Sequence, residues 1–152
     1  MNSGVIIIFS NNEKDINDLY KENLLSINAN KVCFVNNAST DNTLNLLNNI
    51  KFESKNNISI LDIKHNKGVK SALKSGARLL LSESEFDFIV YLQSNMLEYL
   101  DVLKEYLINF EENKQNYDSL PTRSNRNVLN NVFSIDELLK KKLQISTLVK
   151  LI

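Results

Sequence analysis

Residues 32–50 read Val32-Cys33-Phe34-Val35-Asn36-Asn37-Ala38-Ser39-Thr40-Asp41-Asn42-Thr43-Leu44-Asn45-Leu46-Leu47-Asn48-Asn49-Ile50. The stretch opens on a short apolar run, Val32 to Val35, with β-branched residues at both ends and an aromatic inside, which predicts a buried strand. Small polar residues follow, the composition of a turn. Leu44, Leu47 and Ile50 then recur at helical spacing, which predicts a helix from near Ser39 to Ile50. Strand, polar turn and helix in this order form the repeating unit of an α/β domain with a parallel sheet.

The same unit recurs on either side. Val5-Ile6-Ile7-Ile8-Phe9 reads as a strand buried on both faces. Ser10 and Glu13 after it have capping-box spacing, predicting a helix with Ile16, Leu19, Tyr20 and Leu24 inward. Ile58 to Ile63 alternates apolar and polar residues, so it is a third strand. Gly68 to Ser82 reads as a helix carrying Val69, Leu73, Ala77 and Leu80 inward. Phe86 to Leu92 is a fourth strand and Asn95 to Phe110 a fourth helix, with Asn95 and Glu98 in a second capping-box spacing. The pattern predicts a mostly parallel sheet with helices on both faces. Residues 111 to 130 are polar, contain the sole proline, Pro121, and read as a linker. Ser134 and Glu137 then open a last helix through Leu138, Leu139, Leu143, Ile145 and Leu148. Two regions follow: 1–112, an α/β domain, and 113–152, a linker and a C-terminal helix packing on that domain or on a partner.

Composition narrows the function. A chain of 152 residues is long enough to bury a core without disulfides. Eighteen Lys and Arg balance eighteen Asp and Glu, so net charge gives no basis for binding nucleic acid. The lone Cys33 excludes an intrachain disulfide and a cysteine zinc cage; it reads as a small buried hydrophobe and fits a reducing cytoplasm. No apolar run has the length of a membrane span.

In parallel α/β sheets ligands bind outside the carboxyl ends of the strands. The segment after Val35 is polar and opens a helix, so Asn36 and Asn37 are placed to hydrogen-bond a base edge. Lys67, Lys70, Lys74 and Arg78 fall on one helical face. With the helix N-terminus at Gly68 they suit phosphates, or else they are a solvated outer face. Gly68 suits a tight turn and a close ligand approach. His65, the only histidine, reads as a surface loop residue.

Three of these strand ends, in order, resemble glycosyltransferase family 2. Val5 to Glu13 is similar to the family's opening strand and its Asn-Glu turn. Val35 to Thr43 resembles the signature Val-Asp-Asp/Asn-Gly/Ala-Ser-Thr-Asp-x-Thr. Asn66-Lys67-Gly68 with Ala72 and Gly76 resembles the family's Asn-x-Gly segment. The resemblance, over roughly residues 4 to 110, implies a GT-A, Rossmann-like half-domain for a nucleotide-diphosphate sugar such as a UDP-sugar. It implies nucleotide contacts at Ser10, Asn11, Glu13, Asn36, Asn37, Lys67 and Gly68. It places Asn36 against the uracil ring and Glu13 near the ribose.

The chain departs from the family at its carboxylates. Gln93-Ser94-Asn95 stands where the family has Asp-x-Asp, and Asn36 stands where it has Asp. Hard divalent cations want anionic oxygen, so Gln93 and Asn95 predict weak metal binding. About forty residues follow Phe110, where the family continues into an acceptor-binding half with its general base. The chain therefore reads as a truncated, degenerate member, with impaired or absent catalysis and no assignable catalytic residue. It is expected to work beside a partner transferase or by self-association. An active, metal-independent transferase with Lys67 or Lys70 at the leaving phosphate is the alternative. An unrelated α/β binding or scaffold module, such as a response-regulator-like domain, is a third; Ser10-Asn11-Asn12 lacks the acidic cluster expected of it.

Overall fold

The computed structural model describes residues 2–55, 57–93, 99–109 and 128–140. The elements run β1 (Ser3–Phe9), α1 (Asp18–Leu25), β2 (Lys31–Asn37), α2 (Thr43–Glu53), β3 (Ile58–Ile63), α3 (Val69–Glu83), β4 (Phe88–Gln93), α4 (Leu100–Ile108) and β5 (Val132–Ser134). A further helical stretch covers 135–140. The five strands are parallel, in the order β3-β2-β1-β4-β5. The alternating pattern thus gives the α/β, Rossmann-like sheet it predicts. The chain winds outward from β1 to β3 and returns to β4 on the other side of β1. This puts the topological switch point between β1 and β4.

β1 sits in the middle, and Gly4 to Phe9 are all buried. Its odd residues Val5, Ile7 and Phe9 join Phe34 and the inner faces of α1, α2 and α4 in one core. Phe9 meets Phe34 and Tyr20 edge-on, at centroid distances of 5.7 and 6.4 Å. Its even residues Ile6 and Ile8 pack with Cys33, Val35 and the inner face of α3 in a second core. Helices therefore cover both faces. Cys33 is fully buried. Burial, with Glu83 nearby, pushes its thiol up to about 12, so it is a packing residue rather than a nucleophile. Among the described residues no helix is long and apolar enough to cross a membrane.

Several expectations change in detail. Ser10 and Glu13 do not cap α1; that helix starts at Asp18, with the Asn17 side chain accepting from the Tyr20 N–H. Residues 13–15 form a turn instead, because Asn12 O accepts from the N–H of Asp15 and of Ile16. Leu19 is accordingly 68% exposed rather than inward. The second helix starts at Thr43, not Ser39, since 39–42 are tied to the loop after β1. Val69 lies outward at the first turn of α3. The expected start of the fourth helix at Asn95 and its cap lie outside the described residues, as does most of the linker. β5 is a strand that the polar composition of its surroundings concealed; it pairs Ile89 to Tyr91 of β4. The Ser134 and Glu137 box forms as its spacing predicts: the Ser134 N–H donates to Glu137 Oε2 and the Glu137 N–H to Ser134 Oγ. Leu143, Ile145 and Leu148 lie outside the described residues.

α3 lies close on the sheet because Gly76 has no side chain. A Cβ there would stand 2.9 Å from Val35 Cγ2 and 3.3 Å from Ile6 Cγ2. Val35 and Ile6 are β-branched and cannot swing away. Gly76→Ala should therefore destabilise: overpacking costs about 1–3 kcal/mol and outweighs the helix-propensity gain of about 1 kcal/mol. Urea unfolding reads this as a lower midpoint at unchanged slope. An unchanged or raised midpoint would mean that α3 can lift off the sheet.

Candidate functional site

The carboxyl ends of β1, β2 and β3 are joined by polar side chains. Asn11 adopts φ 52, uncommon outside glycine but tolerated by Asn. From there its Oδ1 accepts from the Thr40 N–H at 2.7 Å, and its own N–H donates to Ser39 Oγ at 3.0 Å. The Asn12 N–H donates to Thr43 Oγ1 at 2.9 Å, and Thr43 Oγ1 donates to Asp41 Oδ1. Asp41 Oδ2 accepts from the Glu13 N–H at 3.2 Å, and Glu13 Oε2 from the Asn42 N–H at 3.4 Å. Ser10 Oγ donates to the Asn37 carbonyl at 3.2 Å. Ser10, Asn11 and Glu13 therefore tie the β1 loop to the β2 loop, and Glu13 bonds at the start of α2 rather than α1.

Burial works against the charge of Asp41, but the hydrogen bonds from Thr43 and Glu13 outweigh it and hold its carboxyl below the usual range. At Asp62 the bonds from Lys64 and Asn36 do the same.

Asn36 and Asn37 point to opposite faces, as neighbours on a strand must. Asn36 shares the face of Phe34, and its Nδ2 donates to Asp62 Oδ1 at 2.9 Å on β3. Asn37 shares the face of Val35 and α3, and it lines a cavity of about 300 Å³ with Ile63, Lys64, His65, Lys67, Ser71, Ala72 and Ser75. Both asparagines are 2% exposed, and Asn36 Oδ1 and Asn37 Oδ1 have no hydrogen-bond partner among the described residues. A buried acceptor left unpaired costs about 1–3 kcal/mol, and Asn37 stands at the cavity just described.

Gly68 precedes α3 with φ 95, the region where glycine is at ease, and among the described residues no atom beyond its chain neighbours lies within 4 Å of where a Cβ would stand. The first turn of α3 has no side-chain cap and no acidic residue, so its N–H groups carry the positive end of the helix dipole into open space. Of the four basic residues on the α3 stripe, Lys67 alone reaches the cavity. Lys70 and Arg78 are exposed, Lys74 is half-buried, and Ser71 and Ser75 take the inner positions. His65 also lines the cavity. The sequence did not single out Asp62, Lys64, Ser71 or Ser75, because each reads alone as an ordinary polar loop or helix residue; Asn66 stood out as part of the Asn-x-Gly segment, without a role of its own.

Gln93 ends β4, half-buried, opposite Ile8; Asn95 lies outside the described residues. The Gln93 amide is a neutral donor set for a hard divalent ion. Among the described residues no three His, Cys, Asp or Glu side chains gather as metal ligands.

The model of the family described as glycosyl transferase family 2 matches residues 4–94, more than half of the chain. Among solved structures, S. aureus TarS 1–349 in complex with UDP superposes at a TM-score of 0.56 and 20% identity, covering 78% of this chain and 33% of that one. TarS 1–349 without UDP in its description gives 0.52 and 21%, covering 75% and 33%. A further TarS structure gives 0.53 and 19%, covering 75% and 20%. At such identities the likeness is one of fold, and the chain spans a third or less of those proteins. No curated protein matches the chain.

The Thr43 hydroxyl joins the two loops, so Thr43→Val should leave the buried Asn12 N–H unpaired and cost about 1–3 kcal/mol at pH 7. The Asp41 carboxyl is held low in the folded state, so its contribution is full above the ordinary Asp range near ~3.9. It fades as pH falls through the folded value. The wild-type advantage should therefore narrow between pH 7 and pH 3 in urea unfolding. A gap that stays constant would remove Thr43 as the cause of the low Asp41 value.

Proposed function

The chain belongs to glycosyl transferase family 2, and from that premise we propose that it binds the nucleotide part of a nucleotide-diphosphate sugar, with little dependence on metal and with impaired transfer. The observation that carries the reading is Asn37 Oδ1: a buried, unpaired acceptor at the carboxyl end of an inner strand, beside a polar cavity. A base edge with a ring N–H completes it. The UDP present in one TarS structure supports a uracil nucleotide as the first ligand to test.

The diphosphate then runs from this cavity toward the switch point. From β2 to β4 is two strand spacings, about 10 Å, within the reach of an extended nucleoside diphosphate. Gly68 leaves room for the phosphates, and the open N-terminus of α3 with Lys67 supplies positive charge. The resemblance puts Asn36 on the ring; Asn36 lies on the other face, its nitrogen bonded to Asp62 and its Oδ1 also unpaired, and the reading proposed here gives the ring contact to Asn37, which lines the cavity. Ser10, Asn11 and Glu13 shape the loop beside the nucleotide.

Weak transfer follows from Gln93 and Asn95 at the position of Asp-x-Asp. Two neutral amides do not compensate a divalent cation at the leaving diphosphate. The chain is then a donor-binding domain that works beside a partner transferase or as a self-associated unit. A cytoplasmic setting suits the buried thiol of Cys33.

Titrating UDP into the labelled protein should shift the amide signals of Asn37, Lys67, Gly68 and Ser71, equally with and without Mg²⁺. Asn37→Leu should weaken binding about tenfold or more. Absence of shifts at millimolar UDP sinks the nucleotide reading. A large gain with Mg²⁺, or turnover of a UDP-sugar, sinks the metal-poor, impaired one. Conversely, Gln93→Asp combined with Asn95→Asp should create Mn²⁺-dependent UDP binding by calorimetry. If it does not, the placement of the Asp-x-Asp segment is wrong.

A further inference from the structure

A carboxamide reads a ligand only if its orientation is fixed, since its oxygen and nitrogen have nearly the same shape and opposite hydrogen-bonding character. A carboxylate at position 37 would accept with either oxygen, whereas the Asn37 amide can do so with one only, so something must hold that oxygen toward the ligand. The chain of contacts behind it does so. The Gly68 N–H donates to Asn66 Oδ1 at 2.8 Å. The same Oδ1 accepts from Asn37 Nδ2 at 3.4 Å. A backbone N–H is a donor under all conditions, so Asn66 must turn its oxygen to it. Asn37 must then turn its nitrogen to Asn66, because the flipped amide would face oxygen against oxygen. What remains free is Asn37 Oδ1, the atom that is buried and without a partner among the described residues.

We propose that Asn66 is a positioning residue that holds the Asn37 amide oxygen as a fixed acceptor, so that the cavity takes a base presenting a ring N–H, such as uracil, and rejects cytosine. The inference rests on the reading of the cavity as the base pocket. Uracil offers the N3–H that this acceptor needs. Cytosine offers a bare N3 lone pair at the same place, so binding it would set two acceptors together or force the whole relay to flip. A flipped relay would point the Asn66 Nδ2 at the Gly68 N–H, donor against donor. Asn66 itself is exposed and outside the cavity wall, so it acts through Asn37 and not on the base.

The test compares UDP and CDP affinities by calorimetry on the full chain and its variants, with thermal melts to check folding. Wild type should prefer UDP about tenfold or more, the scale of one mismatched buried hydrogen bond. Asn66→Ala frees the Asn37 amide to turn and should bring the UDP-to-CDP ratio close to one. Asn66→Asp keeps an acceptor for both Gly68 and Asn37, so it should restore the wild-type ratio. In an Asn37→Asp background, where no donor can be presented, Asn66→Ala should leave the preference for UDP in place. A loop that is merely disturbed would weaken both ligands and leave the ratio alone. An unchanged ratio in Asn66→Ala, or equal affinities in wild type, overturns the inference while leaving nucleotide binding intact. Failure of both nucleotides to bind at millimolar concentration overturns the base-pocket reading itself, and the inference with it.

Discussion

Close seating of α3 on β1 and β2 is the constraint from which the rest of the site follows. With Gly76 against Val35 and Ile6, the helix axis lies low over the sheet, and Ala72, Ala77 and Leu80 complete the packing. The N-terminal turn of α3 is thereby brought over the ends of β2 and β3, where Ser71 and Ser75 face Asn37 and Ile63 across a small cavity. A side chain at 76 would push the helix outward and open that cavity to water. The C-terminal end of α3 is held by a second device, since Glu83 pairs with Lys31 at the start of β2 and accepts from Ser59 on β3. One end is set by packing and the other by charge, so the helix has little freedom to slide.

The polar side of the sheet is built on a different economy. Three loops meet there, and their backbone N–H groups need acceptors that no secondary structure supplies. Short side chains meet this need: Asn11 for Thr40, Asn12 for Ser10, Asp41 for Thr43 and Glu13, Asn66 for Gly68. Most acceptors are consumed in this way. Against that background an unpaired acceptor in the same region stands out, because the surrounding loops satisfy their groups so consistently. Asn36 shares this feature on the other face: its nitrogen is bound to Asp62 as a strut between strands, and its Oδ1 too has no partner among the described residues.

Much of this was legible in the sequence, for physical reasons that differ by residue. Buried strands announce themselves through runs such as Val5 to Phe9, and α3 through the spacing of Leu73, Ala77 and Leu80. Gly68 was recognisable because a turn before a helix needs a positive φ, and it has one. The Ser10 and Glu13 box misled because the same spacing serves a turn whose acceptors go to a neighbouring loop; local pattern cannot report a partner about thirty residues away. Val69 and Leu19 misled because periodicity over one turn does not distinguish the last inward position from the first outward one. β5 was hidden because three residues carry no period. The cavity wall was legible in part: Asn37 and Lys67 by position, but Ser71 and Ser75 only once the fold brought them together.

Replacing carboxylates by amides at this end of the sheet separates two tasks that acids perform together. A carboxylate supplies both an acceptor and a negative charge. An amide keeps the acceptor and drops the charge, and it keeps it in a usable direction only where a neighbour orients it. At Asn37, where the family's signature itself has Asp or Asn, such a neighbour exists, and on the proposed reading an amide suffices for base recognition. At Gln93 the partner that matters would be a cation, for which direction counts less than charge. An amide there retains shape without the electrostatic attraction that concentrates a divalent ion. The same chemical change is therefore close to neutral for binding a base and severe for holding a metal. On the proposed reading, recognition and group transfer therefore need not be lost together.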